Sequence, residues 1–411
     1  MKNKRKILLL ALNLLLTSVV ISQNQDTTAS STAKKEKGWY EKISIKGYAQ
    51  VRYNRLLETN PDLNCDQCDK SIGDNNGFFI RRARLTFSGK LNDHVYFYFQ
   101  PDWASNVAAT QQHFLQVRDV YLDLGIDKEM VYRFRIGQSK VPFGFENLQS
   151  SSNRLALDRA DAINSAAPNE RDLGVFFYWT PKVVQETFKK LGTNELKGTG
   201  NYGVFGIGAY NGQSANVAEA NNNRHLAARL AYPFTIGSQI VEGGLQAYSG
   251  NFVVRKNTGT KGAEEVFEYR YGANIILYPQ PFGFQAEYNF GKGPAYNPAP
   301  VIQNGVDPNA NAVIQKGLEG GYAQIMYNLK IKNKLFIPYF KYQYYKGGKK
   351  HEVDARYYDM TEIESGIEWH FFNHFELTTA YTIADRFTSD GKNPSNQQRG
   401  NFLRLQAQVY F

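Results

Sequence analysis

The sequence predicts an all-β chain that crosses a membrane as a sixteen-stranded antiparallel transmembrane β-barrel. Three observations predict it. Apolar and polar residues alternate through most of the 411 residues. The connections between alternating runs are short and long by turns, and the mean hydropathy is negative at -0.49 despite 27 Tyr and 27 Phe. Side chains at i and i+2 share one face of a strand, so a barrel wall needs an apolar residue only at every second position.

The first 22 residues fit a signal peptide. Met1 to Lys6 is a basic n-region, Ile7 to Ile21 an apolar h-region, and Val20 and Ser22 suit the small positions before a cleavage site near Gln23. The h-region is interrupted by Asn13 and falls short of the ~20 residues of a membrane-spanning helix. The 22-residue segment carries four basic residues and no acid, so removing it lowers the net charge from +10 to +6. That modest balance on an exported chain is not the signature of a nucleic-acid partner. Residues 23–38 are Ser-, Thr- and Lys-rich and read as a flexible lead-in, leaving 39–411 for the barrel.

Alternation places strands near 43–54, 77–89, 94–103, 114–124, 131–138, 172–180, 201–211, 224–232, 240–249, 267–278, 282–290, 318–328, 335–346, 358–370, 374–384 and 401–411. In the second run Phe79, Ala83, Leu85 and Phe87 point one way, while Arg82, Arg84, Thr86 and Ser88 point the other. Short turns are expected at Lys90–Asp93, Gly125–Met130, Pro233–Gly237, Pro279–Gly283, Lys330–Lys334 and Phe371–His374, with long polar loops between them. Short turns on one rim and long loops on the other are the outer-membrane arrangement, the short rim being periplasmic. Residues 181–200 break the pattern: on the short rim yet long, they hold either a short helix or an irregular hairpin. The last strand ends on an aromatic, Phe411, which resembles the signal read by the outer-membrane assembly machinery.

Other motifs carry less. Cys65 and Cys68 sit in a polar segment of an exported chain, where a local disulfide is expected. Gly198 to Gly203 matches GxGxxG, but a glycine-rich strand follows where a dinucleotide site requires a helix. His370 and His374 stand four apart across an expected tight turn, not on a helix, and no adjacent Glu completes a zinc motif. No GxSxG elbow is present. Neither an enzyme nor a cofactor or metal site is expected.

GYAQVRYN (47–54), FFIRRARLTFSGKL (78–91), VRDVYLDLG (117–125), RIGQSKVPFGFE (135–146) and RDLGVFFYW (171–179) resemble the phosphate-selective porin O and P family. The resemblance spans most of the mature chain. It implies a sixteen-stranded outer-membrane barrel, a homotrimer, a third loop folded into the channel and lumen arginines that draw anions through. The positions it matches are Arg52, Arg81, Arg82, Arg84 and Lys140, and Ser139–Asp172 corresponds to the constriction loop. Strand parity turns Arg52, Arg82 and Arg84 to the lumen, and leaves Arg81 outward unless a bulge turns it.

Parity adds Arg133, Arg135, Arg229, Arg270 and Arg404 to the lumen, and a guanidinium keeps its charge at any relevant pH. Glu287, Glu362, Glu364, Glu368 and Glu376 share lumen parity and oppose them. One half of the barrel therefore reads as basic and the other as acidic, a field that would orient dipolar solutes. The expected function is an outer-membrane porin passing small hydrophilic solutes passively with a phosphate-like anion preference. The rivals are a general non-selective porin, a sealed structural or adhesion barrel, and a barrel hydrolase. The partners are the solutes, outer-membrane lipid and the assembly machinery.

Overall fold

A computed structural model describes residues 38–63, 77–105, 113–167, 171–298 and 310–411. The signal peptide, nearly all of the lead-in, and Cys65 and Cys68 lie outside the described residues. From Glu41 onward the chain forms one compact unit. Among its described residues sixteen long strands follow one another: β1 (Ser44–Leu56), β2 (Phe78–Lys90), β3 (Val95–Ser105), β4 (His113–Gly125), β5 (Tyr132–Lys140), β6 (Arg171–Trp179), β7 (Phe205–Tyr210) and β8 (His225–Ile236), then β9 (Gln239–Val253), β10 (Glu265–Leu277), β11 (Phe282–Asn297), β12 (Ala312–Tyr327), β13 (Lys334–Gly348), β14 (Tyr357–Phe372), β15 (Phe375–Ser389) and β16 (Asn396–Tyr410). Each pairs antiparallel with its neighbours in sequence. β16 returns to β1, setting Tyr48 opposite Tyr410 and Arg52 opposite Gln406, so the sheet closes and leaves no open edge. Two shorter stretches add to it: Leu329–Ile331 extends the β12–β13 hairpin, and Lys261–Gly262 bridges to β12 among the loops.

The expected strands all occur, and one turn differs. β8 runs through Pro233 to Ile236 and turns at Gly237 and Ser238, because the alternation of Tyr232, Phe234 and Ile236 continues past the proline. The outer face exposes Leu122, Phe134, Leu230, Leu245, Ile275, Phe340 and many similar side chains. So large an apolar surface is tolerated only against lipid or a partner. No helix among the described residues is long and apolar enough to cross a membrane.

Two bulges re-aim side chains on the basic wall. Gln50 faces Arg82 but Val51 faces Ile80, so Arg81 is an extra residue in β2. Parity reverses across it: Phe79 and Arg82 are both buried inside, and Phe78 and Ile80 face out. Phe79 therefore does not share the lipid face of Ala83, Leu85 and Phe87. Likewise Gln100 faces Asp119 while Pro101 faces Val117, which makes Arg118 the extra residue of β4 and turns it inward.

Three α-helices accompany the strands among the described residues. α1 (Phe145–Leu148) and α2 (Asp161–Asn164) lie in the segment between β5 and β6, and α3 (Lys182–Thr193) in the connection between β6 and β7. The segment from Val141 to Ala166 is almost wholly buried. Its polar atoms bond to inward side chains of strands far from β5 and β6. Ser151 meets Tyr48 and Gln50, the Leu157 carbonyl meets Arg52, the Ala162 carbonyl meets Arg270 and Asn289, and Glu146 meets Lys341.

Candidate functional site: the barrel interior

The described inward residues include two networks and an open cavity. The first network lies on the long-loop side of β1–β4. Arg84 donates through Nε to Asp102 at 2.7 Å and through Nη1 to the Tyr48 hydroxyl at 2.7 Å and the Ser151 hydroxyl at 3.0 Å. The bulged Arg118 lies 3.8 Å from the same Asp102. Arg82 donates to Gln50 at 2.8 Å and makes no ion pair among the described residues. Arg81, Arg84 and Arg154 are within electrostatic reach of it. Asp102 thus serves Arg84 and Arg118 together, in a wall where Arg82 has like charges close by.

Arg52 is bonded to Gln406 at 2.7 Å and the Leu157 carbonyl at 3.1 Å, and stands 3.7 Å from Asp158. Arg404 holds the same Asp158 and also Glu364. Arg229 pairs with Glu242 at 2.8 Å, and Arg270 with Glu268 at 2.7 Å. A buried ion pair of this kind fixes geometry more than it stabilises.

The second network comprises the lumen acids, each met locally. Glu287 accepts from the amides of Phe145 and Glu146 at 2.5 and 2.6 Å and from the Tyr322 hydroxyl at 2.8 Å, which clamps α1 to β11. Glu362 is bonded to Arg386 and, at 2.8 Å, to Gln343. Glu364 accepts from the Tyr339 hydroxyl at 2.8 Å. Glu368 meets Lys197 at 2.5 Å and His370 at 2.8 Å, and Glu376 accepts from Gln408 at 2.7 Å. The ligand atoms of Glu368, His370 and Glu376 lie within 4.8 Å of one another, a spacing that could hold a metal ion. The Lys197 ammonium already supplies the positive charge there. Burial alone would lower the Lys197 pKa, but the Glu368 and Glu376 carboxylates outweigh it and hold the pKa above its usual value.

The cavity, of about 510 Å³, runs along β3–β5. Tyr96, Tyr98 and Gln100 come from β3, Asp119, Tyr121 and Asp123 from β4, and Arg133 and Arg135 from β5. Tyr98 and Tyr121 lie opposite each other and stack at 5.0 Å, and the Arg135 guanidinium covers Tyr121 at 3.9 Å. Arg135 grips Asp123 with two bonds of 2.7 and 2.9 Å, and Arg133 stands 3.5 Å from the same carboxylate. Arg171 pairs with Asp119 at 2.8 Å. Asp119, Asp123, Arg133, Arg135 and Arg171 are buried, whereas Tyr96, Tyr98, Tyr121 and Tyr202 are half-exposed. Lys140 borders the cavity but donates to the carbonyls of Asn147, Leu148 and Gln149 at 3.0, 3.2 and 2.7 Å. An ammonium has three protons, so these bonds make Lys140 a brace for the end of α1.

The sequence model of the family described as "Phosphate-selective porin O and P" matches residues 58–411. The chain belongs to this family. As a porin it is an outer-membrane channel barrel, and solved structures share its fold at low identity. The outer-membrane channel DcaP of Acinetobacter baumannii has a TM-score of 0.52 at 11% identity, covering 90% of this chain and 97% of that one. OmpT of Vibrio cholerae in its trimer form has a TM-score of 0.50 at 13% identity, covering 90% and 99%. The anion-selective porin from Comamonas acidovorans has a TM-score of 0.51 at 10% identity, covering 90% and 99%. No curated protein matches the chain in sequence.

In this porin, sequence reasoning missed Arg118 and the acids that serve the arginines. Strict alternation from Asp119 would turn Arg118 outward, and only the bulge brings it in. Asp102, Asp119 and Asp123 were legible by parity as inward residues, the last two beside Tyr121 in one alternating run.

Proposed function

We propose that the protein is a passive outer-membrane channel for small hydrophilic solutes with a preference for phosphate-like anions. The observation that carries the reading is Arg82, buried, without an ion pair among the described residues, and surrounded by Arg81, Arg84 and Arg154. A guanidinium offers a planar fork of donors to an oxyanion and cannot shed its charge. The cavity adds support. Lys90, Arg133, Arg135, Lys140 and Arg171 border it against Asp119, Asp123 and Glu129, an excess of two positive charges that raises the local anion concentration. The segment 141–167 acts as the constriction, its bonds to β1, β10, β11, β13 and β16 holding it across the lumen.

Export by a cleaved signal peptide over residues 1–22 and assembly as a homotrimer complete the proposal. The trimer draws on the family and on the trimeric OmpT. A general, non-selective pore is the second reading, favoured by the pairing of Arg84, Arg135, Arg171, Arg229 and Arg270 with carboxylates.

Phosphate block of chloride current in planar bilayers decides between them. Wild type should show block, and the Arg82→Gln, Arg84→Gln double variant should lose most of it. Equal block in both, or none in wild type, makes the arginines struts and the protein a general porin.

A further inference from the structure

A water-filled lumen calls for polar inward side chains. Among the described residues this barrel departs from that rule where the segment 141–167 packs, as at Phe176, Met326 and Ile337, and again near the short-turn rim. Ile240 on β9, and Ile276 and Tyr278 at the end of β10, sit at or beside inward positions near the short-turn rim, yet they are apolar and at most 2% exposed. What covers them is α3. Its Val184, Phe188 and Leu191 recur on one helical face and pack with Leu196, Val204, Ile240, Ile276 and Tyr278. Phe145 of α1 joins the same cluster, so the connection between β6 and β7 also touches the proposed constriction segment.

Polar bonds extend the contact. Gln149 donates to the Lys197 carbonyl and Asn153 to the Gly198 carbonyl, both at 2.6 Å. Lys197 reaches Glu368 on β14, and Arg133 donates to the Asn201 carbonyl at 2.8 Å. Thr199, Gly200, Asn201 and Tyr202 then form the side of the cavity that faces β3–β5. The Tyr202 ring stands 5.3 Å from the Arg135 guanidinium and 6.3 Å from Tyr178.

We propose that Lys182–Tyr202 is a second constriction element: α3 stops the periplasmic half of the lumen on the β7–β11 side, solute is confined to the passage along β3–β5, and Tyr202 helps to select what passes. The proposal rests on the channel reading above. It accounts for the one long connection on a rim of short turns. The helix is not a surface ornament, because its apolar face has inward strand residues made to receive it.

The test uses the full-length protein in planar bilayers, with heat-modifiable mobility on a gel to show that the barrel has formed. An α-helix with its side chains is about 10–12 Å across, and a cavity of 510 Å³ is only about 8 Å on a side. Undocking α3 with Val184→Asp and Phe188→Asp, which bury charge unless the helix leaves, should therefore raise single-channel conductance roughly two-fold. Tyr202→Ala, which leaves the helix seated, should raise it less and shift the reversal potential. Folded variants with wild-type conductance and reversal potential overturn the proposal and leave the channel reading intact. A wild type silent in bilayers sinks both. Should the double Asp variant fail to fold, Tyr202→Ala and hydrogen exchange of wild type still decide. Peptides covering 184–196 should exchange as slowly as barrel strands, and exchange at the rate of an open loop refutes the docking.

Discussion

Replacing Asp161 by Asn should loosen the long-loop side of segment 141–167 without unfolding the barrel. Asp161 opens α2, its carboxylate is bonded to the Lys349 ammonium, and neither side chain is more than 1% exposed. Burial alone would raise the Asp161 pKa, but the charges of Lys349 and Arg386 outweigh it and hold the carboxyl below its usual range. Removing one charge of such a buried pair costs about 3–5 kcal/mol, most of it from the partner left uncompensated. At about 1.4 kcal/mol per power of ten, local excursions of α2 become roughly 10²–10⁴ times more frequent. The segment stays tethered by Arg270, which donates to the Ala162 carbonyl at 3.2 Å and the Ser165 hydroxyl at 2.8 Å, and by Glu287 on the α1 amides. Single-channel recording should therefore show added open-channel noise with the main conductance kept. A depressed carboxylate pKa contributes stability that is complete above the unfolded value, about 3.9, and lost as pH falls through the folded one. Wild type should thus acquire the same noise only below about pH 4, and Asp161→Asn should show no such transition. A quiet variant at neutral pH, or the same acid transition in both proteins, would refute the reasoning.

Two further outcomes follow from the geometry. Asp123→Asn removes the carboxylate shared by Arg133 and Arg135 in the cavity, so the reversal potential should move towards anions. The shift should be larger in dilute electrolyte, because the screening length is ~10 Å at 0.1 M salt; an unaltered reversal potential would show that solute does not sample this wall. Deleting Phe411 removes the paired 3.0 Å backbone bonds between it and Gly47 that help close the barrel. The heat-modifiable form should then be recovered in lower yield, and an undiminished yield would count against a closing role.

The strands were legible because lipid on one side and water on the other impose a period of two on every segment. That pattern is strong in runs such as Leu122–Leu124 and Phe134–Ile136, and it carried the strand count and the closure. It failed where an extra residue breaks the period. Arg81 and Arg118 are single-residue bulges, and each reverses the parity on which the inward set depends, so Phe79 was assigned to the wrong face and Arg118 was not among the inward residues. Site chemistry was legible only as composition. Parity shows that Arg84, Arg135 and Glu364 face inward, but which acid meets which base depends on cross-strand register, and on loop residues such as Asp158 and Glu146 that no periodicity locates. α3 had a signal that parity could have read: Ile240 and Ile276 are apolar at inward positions, and an apolar residue facing the lumen needs a cover.

The most direct test of the central claim is the reversal potential of the wild-type channel in a potassium chloride gradient across a planar bilayer. A wall of arginines around Arg82, leading to a cavity with more bases than acids, predicts a potential on the chloride side of zero current, growing as the electrolyte is diluted. A potential on the potassium side, or one at zero that dilution does not move, would contradict an anion-preferring channel.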